Sequence, residues 1–290
     1  MSTIATFARL ALAGILSFSA FNCTSNSLYS DDVQAINKIR GIVELNDGAD
    51  VEGVFVWFKI FNISTQCDEN GEFDLKIPNP ANQSGGGLDG IYQIYFYMAN
   101  YRIDSVGVIL DKGQIKLAGA DSDKDGMLDS PILLDNILRI EAQIGNPLVL
   151  IPQRDKQTVG FKLSAPTGRV NVILTRSNPI SQGDPQFLSG VIGDKNKNLC
   201  VEIFRRGRQQ GNSNLEVGAS WVDIYPMEIL AATGDLQVGD FEVRPAITVE
   251  QAGLPAGLLL ALKDAAGADA CDAAFEMPMA VWNNTFSVRR

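Results

Sequence analysis

Short runs of β-branched and aromatic residues, separated by tight-turn residues, constrain the fold of this chain most. The clearest case is residues 41–78, where two such runs flank Asn46, Asp47 and Gly48. A second turn at residues 68–71 precedes another short run. Asparagine, aspartate and glycine supply the positive φ angles that turns between neighbouring strands require. The pattern therefore predicts consecutive antiparallel strands and an all-β fold.

Residues 51–63 are apolar on both alternating faces, which predicts one long central strand covered on each side. Trp57 in this run, with Tyr95 and Tyr97 in a later run, forms a candidate set of ligand contacts. The alternative is that these rings pack in the core. The predicted strands of this half of the chain are residues 38–45, 51–63, 72–77, 91–99, 103–110 and 114–117.

Several of these residues occur in a characteristic order. Gly41 is followed by Gly53 with Val-Phe-Val, and then by a closing block at residues 65–73. The order resembles the carboxypeptidase regulatory-like (transthyretin-like) domain, whose closing block usually reads Thr-x-Thr-Asp-x-x-Gly-x-Phe. Cys67 stands where the second threonine is usual. The resemblance covers residues 38–118 and implies a small β-sandwich, but a fold of this kind does not identify a function.

Residues 148–290 again show strand-length runs with turn signals, which predicts a second, mostly β domain. Residues 254–266 are rich in leucine and alanine and predict a short helix, whereas residues 135–144 fit either a strand or a helix. The predicted architecture is two β-sandwich domains in tandem, joined by an Asp-rich linker at residues 119–147. The strands predicted in the second domain are residues 158–163, 169–175, 199–204, 216–221, 240–244, 246–250 and 285–289.

The linker contains the sharpest chemical motif of the sequence. Asp121, Asp123 and Asp125 occupy alternate positions and are followed by Gly126. This spacing matches the first half of an EF-hand-type calcium loop, in which carboxylates converge on a hard cation and the glycine permits a sharp turn. The motif predicts a structural Ca²⁺ site at the joint between the domains. The alternative is a hydrophilic linker that binds nothing.

Two further ligands of this ion are predicted downstream. The carbonyl of Met127 and the carboxylate of Asp129 follow at suitable positions, whereas the twelfth position is Ile132 instead of the usual glutamate. No helix pattern precedes the loop, so a paired-helix EF-hand is not expected. A site with few fixed ligands is expected to bind weakly.

The N-terminal residues predict export and a lipid anchor. Residues 1–22 contain one arginine before an apolar run. The run has the length found in signal peptides and is too short for a membrane span. Cys23 follows directly and is the first residue of a polar tether at residues 23–37. This looks like a bacterial lipoprotein leader, in which Cys23 becomes the lipidated first residue of a cell-envelope protein at the outer membrane or cell surface. The alternative is an ordinary secretory leader with Cys23 as a spare thiol.

Export also favours disulfide formation by the three remaining cysteines, because exported proteins are in an oxidising environment. Cys200 and Cys271 both lie in the predicted second domain and form the most economical disulfide pair. Cys67 is then a lone thiol near a strand end, and we expect it to be buried.

Composition narrows the function classes. The chain has no histidine, which excludes Ser-His-Asp and Cys-His nucleophiles and His-ligated zinc. A formal net charge of −10 argues against nucleic acid as a partner.

The first hypothesis is a non-enzymatic envelope lipoprotein that acts in scaffolding or in binding a ligand or protein. The second is a carbohydrate-binding module that uses Trp57, Trp221, Trp282 or the tyrosines. The third is a glycoside hydrolase that uses an Asp/Glu pair.

Overall fold

The computed structural model describes residues 37–116, 126–150, 156–177, 187–188, 190–194, 200–203, 210–230, 238–266 and 277–290. Strands are the main secondary structure of these residues, which confirms the prediction of an all-β fold. The strands of the first half are β1 (Lys38–Leu45), β2 (Phe55–Phe58), β3 (Ile63–Gln66), β4 (Glu72–Lys76), β5 (Gly90–Tyr97), β6 (Asp104–Asp111), β7 (Gln114–Lys116) and β8 (Ile132–Leu134). Two 3₁₀ turns, Pro80–Asn82 and Ser84–Gly86, lie between β4 and β5.

The second half contributes further strands and the α-helix of the described residues. Its strands are β9 (Arg139–Ile144), β10 (Leu148–Leu150), β11 (Lys156–Ser164), β12 (Val170–Ser177), β13 (Phe187–Leu188), β14 (Gly190–Asp194), β15 (Cys200–Ile203), β16 (Gln210–Val217), β17 (Val222–Leu230), β18 (Gly239–Pro245), β19 (Ile247–Val249) and β20 (Thr285–Arg289). Helix α1 is Leu258–Ala266, inside the predicted helical range. Within the described parts of the chain, no helix is long and apolar enough to span a membrane.

Within the described residues, the strands are arranged in five sheets. In the first half, β4-β1-β8 forms one sheet and β3-β2-β5-β6-β7 another. In the second half, the orders are β17-β11-β9, β13-β12-β16 with β19 beside β12, and β10-β20-β18-β14-β15. Most neighbours are antiparallel, as expected from the short turns, but β8 pairs with β1 in parallel and β10 pairs with β20 in parallel. The division into two tandem sandwiches stays a prediction.

The inner faces of the two sheets of the first half enclose one core cluster. Alternating residues of β1 and β4 pack against alternating residues of β2, β5 and β6, because one face of each strand is apolar. The central members of this cluster are Ile39, Val43, Phe73, Leu75, Val56, Phe58, Ile94, Phe96, Val108, Leu110 and Leu134.

A second core cluster contains residues of both halves of the chain. The opposite face of β2 and β5 contributes Phe55, Trp57 and Tyr97, and these pack with strands that begin after residue 138. Residues Ile36–Arg290 accordingly form one compact unit. The other main members of the cluster are Leu138, Ile140, Phe161, Leu163, Val172, Leu174, Phe241, Val243, Leu258 and Leu262.

The prediction of one long strand at residues 51–63 is wrong. The chain reverses after β2, and residues 59–62 form the turn of a β2–β3 hairpin. Asn62 closes the turn with a φ of +50°, and its side chain accepts a hydrogen bond from the Trp57 indole over 3.1 Å. The turn was missed because it contains Ile60 and Phe61 in place of the usual polar residues. The expectation that both faces are covered is correct, since all four residues of β2 are buried.

The described part of the predicted linker, residues 126–147, is not simply a connection. It contains β8, which pairs with β1, and β9, which pairs with β11. Residues 139–144 are therefore a strand, which settles the alternative left open by the sequence. Both strands bury alternate apolar residues, so each is held by a core cluster as well as by its backbone hydrogen bonds.

Candidate ligand-binding surface

Strand β9 separates the core from an exposed surface. Ile140 and Ala142 point inward and are 0% and 4% exposed, so the alternation of side chains along a strand directs Arg139 and Glu141 outward. On one side, β9 pairs with β11, and Ser164 lies opposite Arg139. This register fixes which side chains meet on the outer face.

On its other side, β9 meets the segment that precedes β20. Trp282 forms a parallel bridge with Glu141, in which the Trp282 backbone N–H donates to Ile140 over 2.9 Å and its carbonyl accepts from Ala142 over 2.8 Å. Partners in such a bridge direct their side chains to the same side of the sheet. The Trp282 side chain therefore lies on the outer face of β9.

A second tryptophan reaches the same face across β11. Leu163 of β11 pairs with Val222, so the preceding residue, Trp221, lies beside Ser164. The Arg139 guanidinium carbon is 4.9 Å from the Trp282 ring centroid and 5.9 Å from the Trp221 ring centroid. We call Trp221, Arg139 and Trp282 the Trp–Arg–Trp cluster.

The cluster is partly exposed to solvent. Trp221 is 45% exposed, Arg139 is exposed and Trp282 is half-buried. Cation–π contacts of this kind contribute about 0.5–1 kcal/mol at exposed sites and hold the arginine side chain in place. Among the described residues, no carboxylate or carbonyl lies within hydrogen-bonding distance of the Arg139 guanidinium. Within the described chain, its charge is thus placed beside the two rings and is not neutralised by an acid.

The surroundings of the cluster on this face are polar. Glu141 is half-buried and accepts a hydrogen bond from the Asn283 amide over 3.1 Å. Lys162 lies opposite Glu141 on β11, and Asp223 lies opposite Lys162 on β17. Two indole rings therefore stand among side chains that donate and accept hydrogen bonds, an arrangement suited to a ligand with both apolar faces and polar edges.

The ligand contacts predicted from sequence lie elsewhere. Trp57 and Tyr97 are each 3% exposed and belong to the core cluster shared by the two halves. Burial raises the pKa of Tyr97 to about 12. Tyr95 is partly buried, 5.9 Å from the Trp57 ring centroid. Trp57 and Tyr97 therefore pack in the core, which was the alternative to ligand contact.

Most of the predicted calcium loop falls outside the described residues, including Asp121, Asp123 and Asp125. Gly126 has a φ of +78°, the conformation that its predicted role in a sharp turn requires. Met127 forms a bridge with Arg40 of β1, and Asp129 is exposed. No three potential metal-ligand side chains cluster within the described residues. The calcium site stays a prediction.

The predictions for the cysteines differ in how far the described residues cover them. Cys67 is a buried free thiol, and burial, with a smaller contribution from Asp68, raises its pKa to about 12. The backbone of Cys200 lies in β15, but Cys271 is outside the described residues, so their disulfide stays a prediction. The lipidation site, Cys23, and the whole leader also lie outside the described residues.

Comparison with known proteins adds no relative. The chain matches no protein-family model, and no curated protein has significant sequence similarity to it. The likeness of residues 38–118 to the carboxypeptidase regulatory-like domain thus rests on the quoted motifs.

Proposed function

We propose that this protein is a non-enzymatic binding protein of the bacterial cell envelope, and that the Trp–Arg–Trp cluster binds a glycan. The observation that supports this function is the position of Arg139 between the rings of Trp221 and Trp282 on an open sheet face. Exposed aromatic rings pack against the apolar C–H faces of sugars, while neighbouring polar groups bind the hydroxyls.

The charged side chains around the rings favour a glycan over a protein partner. A stable protein interface covers about 800 Å² per partner and has an apolar centre. Among the described residues, the outward positions next to the cluster include Glu141, Lys162 and Asp223, so charged side chains border the two rings. A narrow chain of sugar rings fits such a surface, although tryptophan and arginine also occur in protein hot spots.

A binding role is also favoured over catalysis. The absence of histidine removes the commonest general base. Glu141 and Asp223 lie on the same face with one strand between them, but Asp223 is exposed and the face is open. Hydrolysis by a carboxylate pair is aided by an enclosed site that restricts water, and the outer face of β9 offers no such enclosure.

The proposed location rests on the leader. Export and lipidation at Cys23 would tether the sheets to a membrane through residues 23–37 and present the cluster to envelope or surface glycans. Acyl labelling in a bacterial host tests the anchor. The wild type is expected to incorporate label, and a Cys23→Ser protein that still partitions fully into membranes would contradict it.

A glycan array tests the binding function. The exported protein with Cys23→Ser should bind one group of glycans, and Trp221→Ala should weaken that binding by about tenfold or more. Leu260→Ala is the matched control, because Leu260 is an exposed apolar side chain, 63% exposed, on helix α1. Equal binding by all variants places the site elsewhere, and release of reducing sugar from the bound glycan would contradict a non-enzymatic role.

A further inference from the structure

The Arg139 guanidinium contacts two indole rings and has its N–H donors left for a ligand. Its carbon lies over the Trp282 ring at 4.9 Å and over the Trp221 ring at 5.9 Å, so both rings contact the guanidinium. The remaining interaction sites are the N–H donors, which point outward in the plane of the guanidinium. Within the described chain, none of these donors has a hydrogen-bond acceptor.

A carboxylate is the group that fits these donors best. A guanidinium presents two parallel N–H donors whose spacing matches the two oxygens of a carboxylate, and the pairing is charge-assisted. A neutral sugar hydroxyl fills only one of these positions and carries no charge. We propose that the glycan ligand is acidic, and that Arg139 binds the carboxylate of a uronic acid residue whose ring contacts Trp221 or Trp282.

The charges around Arg139 are consistent with a carboxylate ligand. Glu141, the nearest acid along β9 on the same face, accepts a hydrogen bond from Asn283 and forms no ion pair with Arg139. Lys162 on the same face lies between Glu141 and Asp223, which offset its charge, so the positive charge offered to a ligand is that of Arg139. The formal net charge of −10 disfavours general adhesion to polyanions, so recognition must come from local contacts at the cluster.

This inference rests on the proposed function and is tested with ligands that differ only in the carboxyl group. Polygalacturonate, alginate and hyaluronan are each compared with their carboxyl-reduced form, which keeps the sugar ring and replaces the acid by an alcohol. We expect at least one native polysaccharide to bind about tenfold or more tightly than its reduced form, because loss of a charge-assisted hydrogen bond costs at least that factor.

Two substitutions of Arg139 separate charge from geometry. Arg139→Lys keeps the charge but loses the paired donors, and Arg139→Gln loses the charge. Both are expected to abolish most of the preference for the native polysaccharide, whereas Trp221→Ala weakens the native and reduced forms alike. Circular dichroism and thermal unfolding of each variant verify that the sheets remain folded.

The outcomes distinguish this inference from the proposed function. Equal affinity for native and reduced polysaccharide, lost in Trp221→Ala, overturns the carboxylate inference and supports a neutral glycan at the same cluster. A native preference that survives in Arg139→Gln also overturns it. If none of the polysaccharides binds and the glycan array is negative, both proposals fail, and a protein partner of the cluster becomes the alternative.

Discussion

The side chain of Asn100 forms two hydrogen bonds with the backbone of Ala280, 180 residues later in the chain. Its amide nitrogen donates to the Ala280 carbonyl, and its oxygen accepts from the Ala280 N–H, each over 3.0 Å. The same nitrogen donates to the carbonyl of Leu138 over 3.0 Å. Asn100 is 1% exposed, so it connects segments from both halves of the chain just before Trp282 meets β9.

Replacing this side chain should destabilise the protein. Asn100→Ala leaves buried backbone groups of Ala280 and Leu138 without partners, and each unsatisfied group costs about 1–3 kcal/mol. We expect the free energy of unfolding, measured by chemical denaturation, to fall by about 2 kcal/mol or more. Asn70→Ala, at an exposed turn position, is the control and should change it by less than about 0.5 kcal/mol. Similar values for the two variants would contradict the structural role of Asn100.

Two glycines with the same backbone conformation should differ in how well they tolerate substitution by alanine. Gly71 and Gly48 have φ angles of +79° and +71°. A Cβ at Gly71 would lie 2.2 Å from the Val43 carbonyl oxygen, whereas a Cβ at Gly48 would meet nothing within 4 Å. Gly48→Ala should cost about 1–2 kcal/mol for the left-handed conformation alone. Gly71→Ala should cost about 1–3 kcal/mol more because the strand beside it must move. Equal unfolding free energies would contradict the close contact with β1.

The buried thiol of Cys67 should make stability depend on alkaline pH. Its pKa is about 12 in the folded protein against an ordinary value of 9.0. Below pH 9 the thiol is protonated in both states, and its contribution is fully present. Between pH 9 and 12 the unfolded state loses the proton first, so the folded state loses stability as pH rises.

The test of this effect is the difference in unfolding free energy between wild type and Cys67→Ala, measured from pH 8 to 11. The difference should shrink as the pH rises, because the alanine variant has no thiol to ionise at this position. A difference that stays constant over this range would show that burial does not hold the Cys67 proton.

Calcium is expected to order the loop at residues 121–129. Three carboxylates within five residues repel one another, and a divalent cation would reverse this repulsion. Calorimetric titration should give a dissociation constant of about 10⁻⁴ to 10⁻³ M, and calcium should slow proteolysis next to Lys124. Asp123→Ala should abolish both effects, while Asp104→Ala, an exposed acid on β6, should change neither. Unchanged proteolysis at millimolar calcium would leave the loop as an acidic linker.

The sequence predicted most strands because local signals determine them. The runs that became β1 and β4 alternate apolar and polar residues, and the run that became β5 is rich in aromatic and β-branched residues. Turn residues lie near the ends of these runs, so the predicted boundaries are close to the observed ones. The β2–β3 hairpin was missed because apolar residues occupy its turn. The parallel pairing of β1 with β8 was missed because no local pattern specifies a strand's distant partner.

The binding surface could not be predicted from the sequence for the same reason. Trp221 and Trp282 are candidates for a carbohydrate-binding module, but they are 61 residues apart, and no local pattern predicts that they share a surface. They meet only because β9 lies between β11 and the segment at Trp282. Arg139 carried no signal by itself, since an arginine at an exposed strand position is ordinary.

The three tryptophans of the chain allow a direct test of the ligand surface. Their indole N–H groups give three signals in a ¹H–¹⁵N NMR spectrum, which single Trp→Phe variants assign. On titration with the oligosaccharide selected by the glycan array, the signals of Trp221 and Trp282 should shift together. The signal of Trp57, buried and bonded to Asn62, should stay in place. Binding that leaves the signals of Trp221 and Trp282 unchanged would contradict the assignment of the ligand site to this cluster.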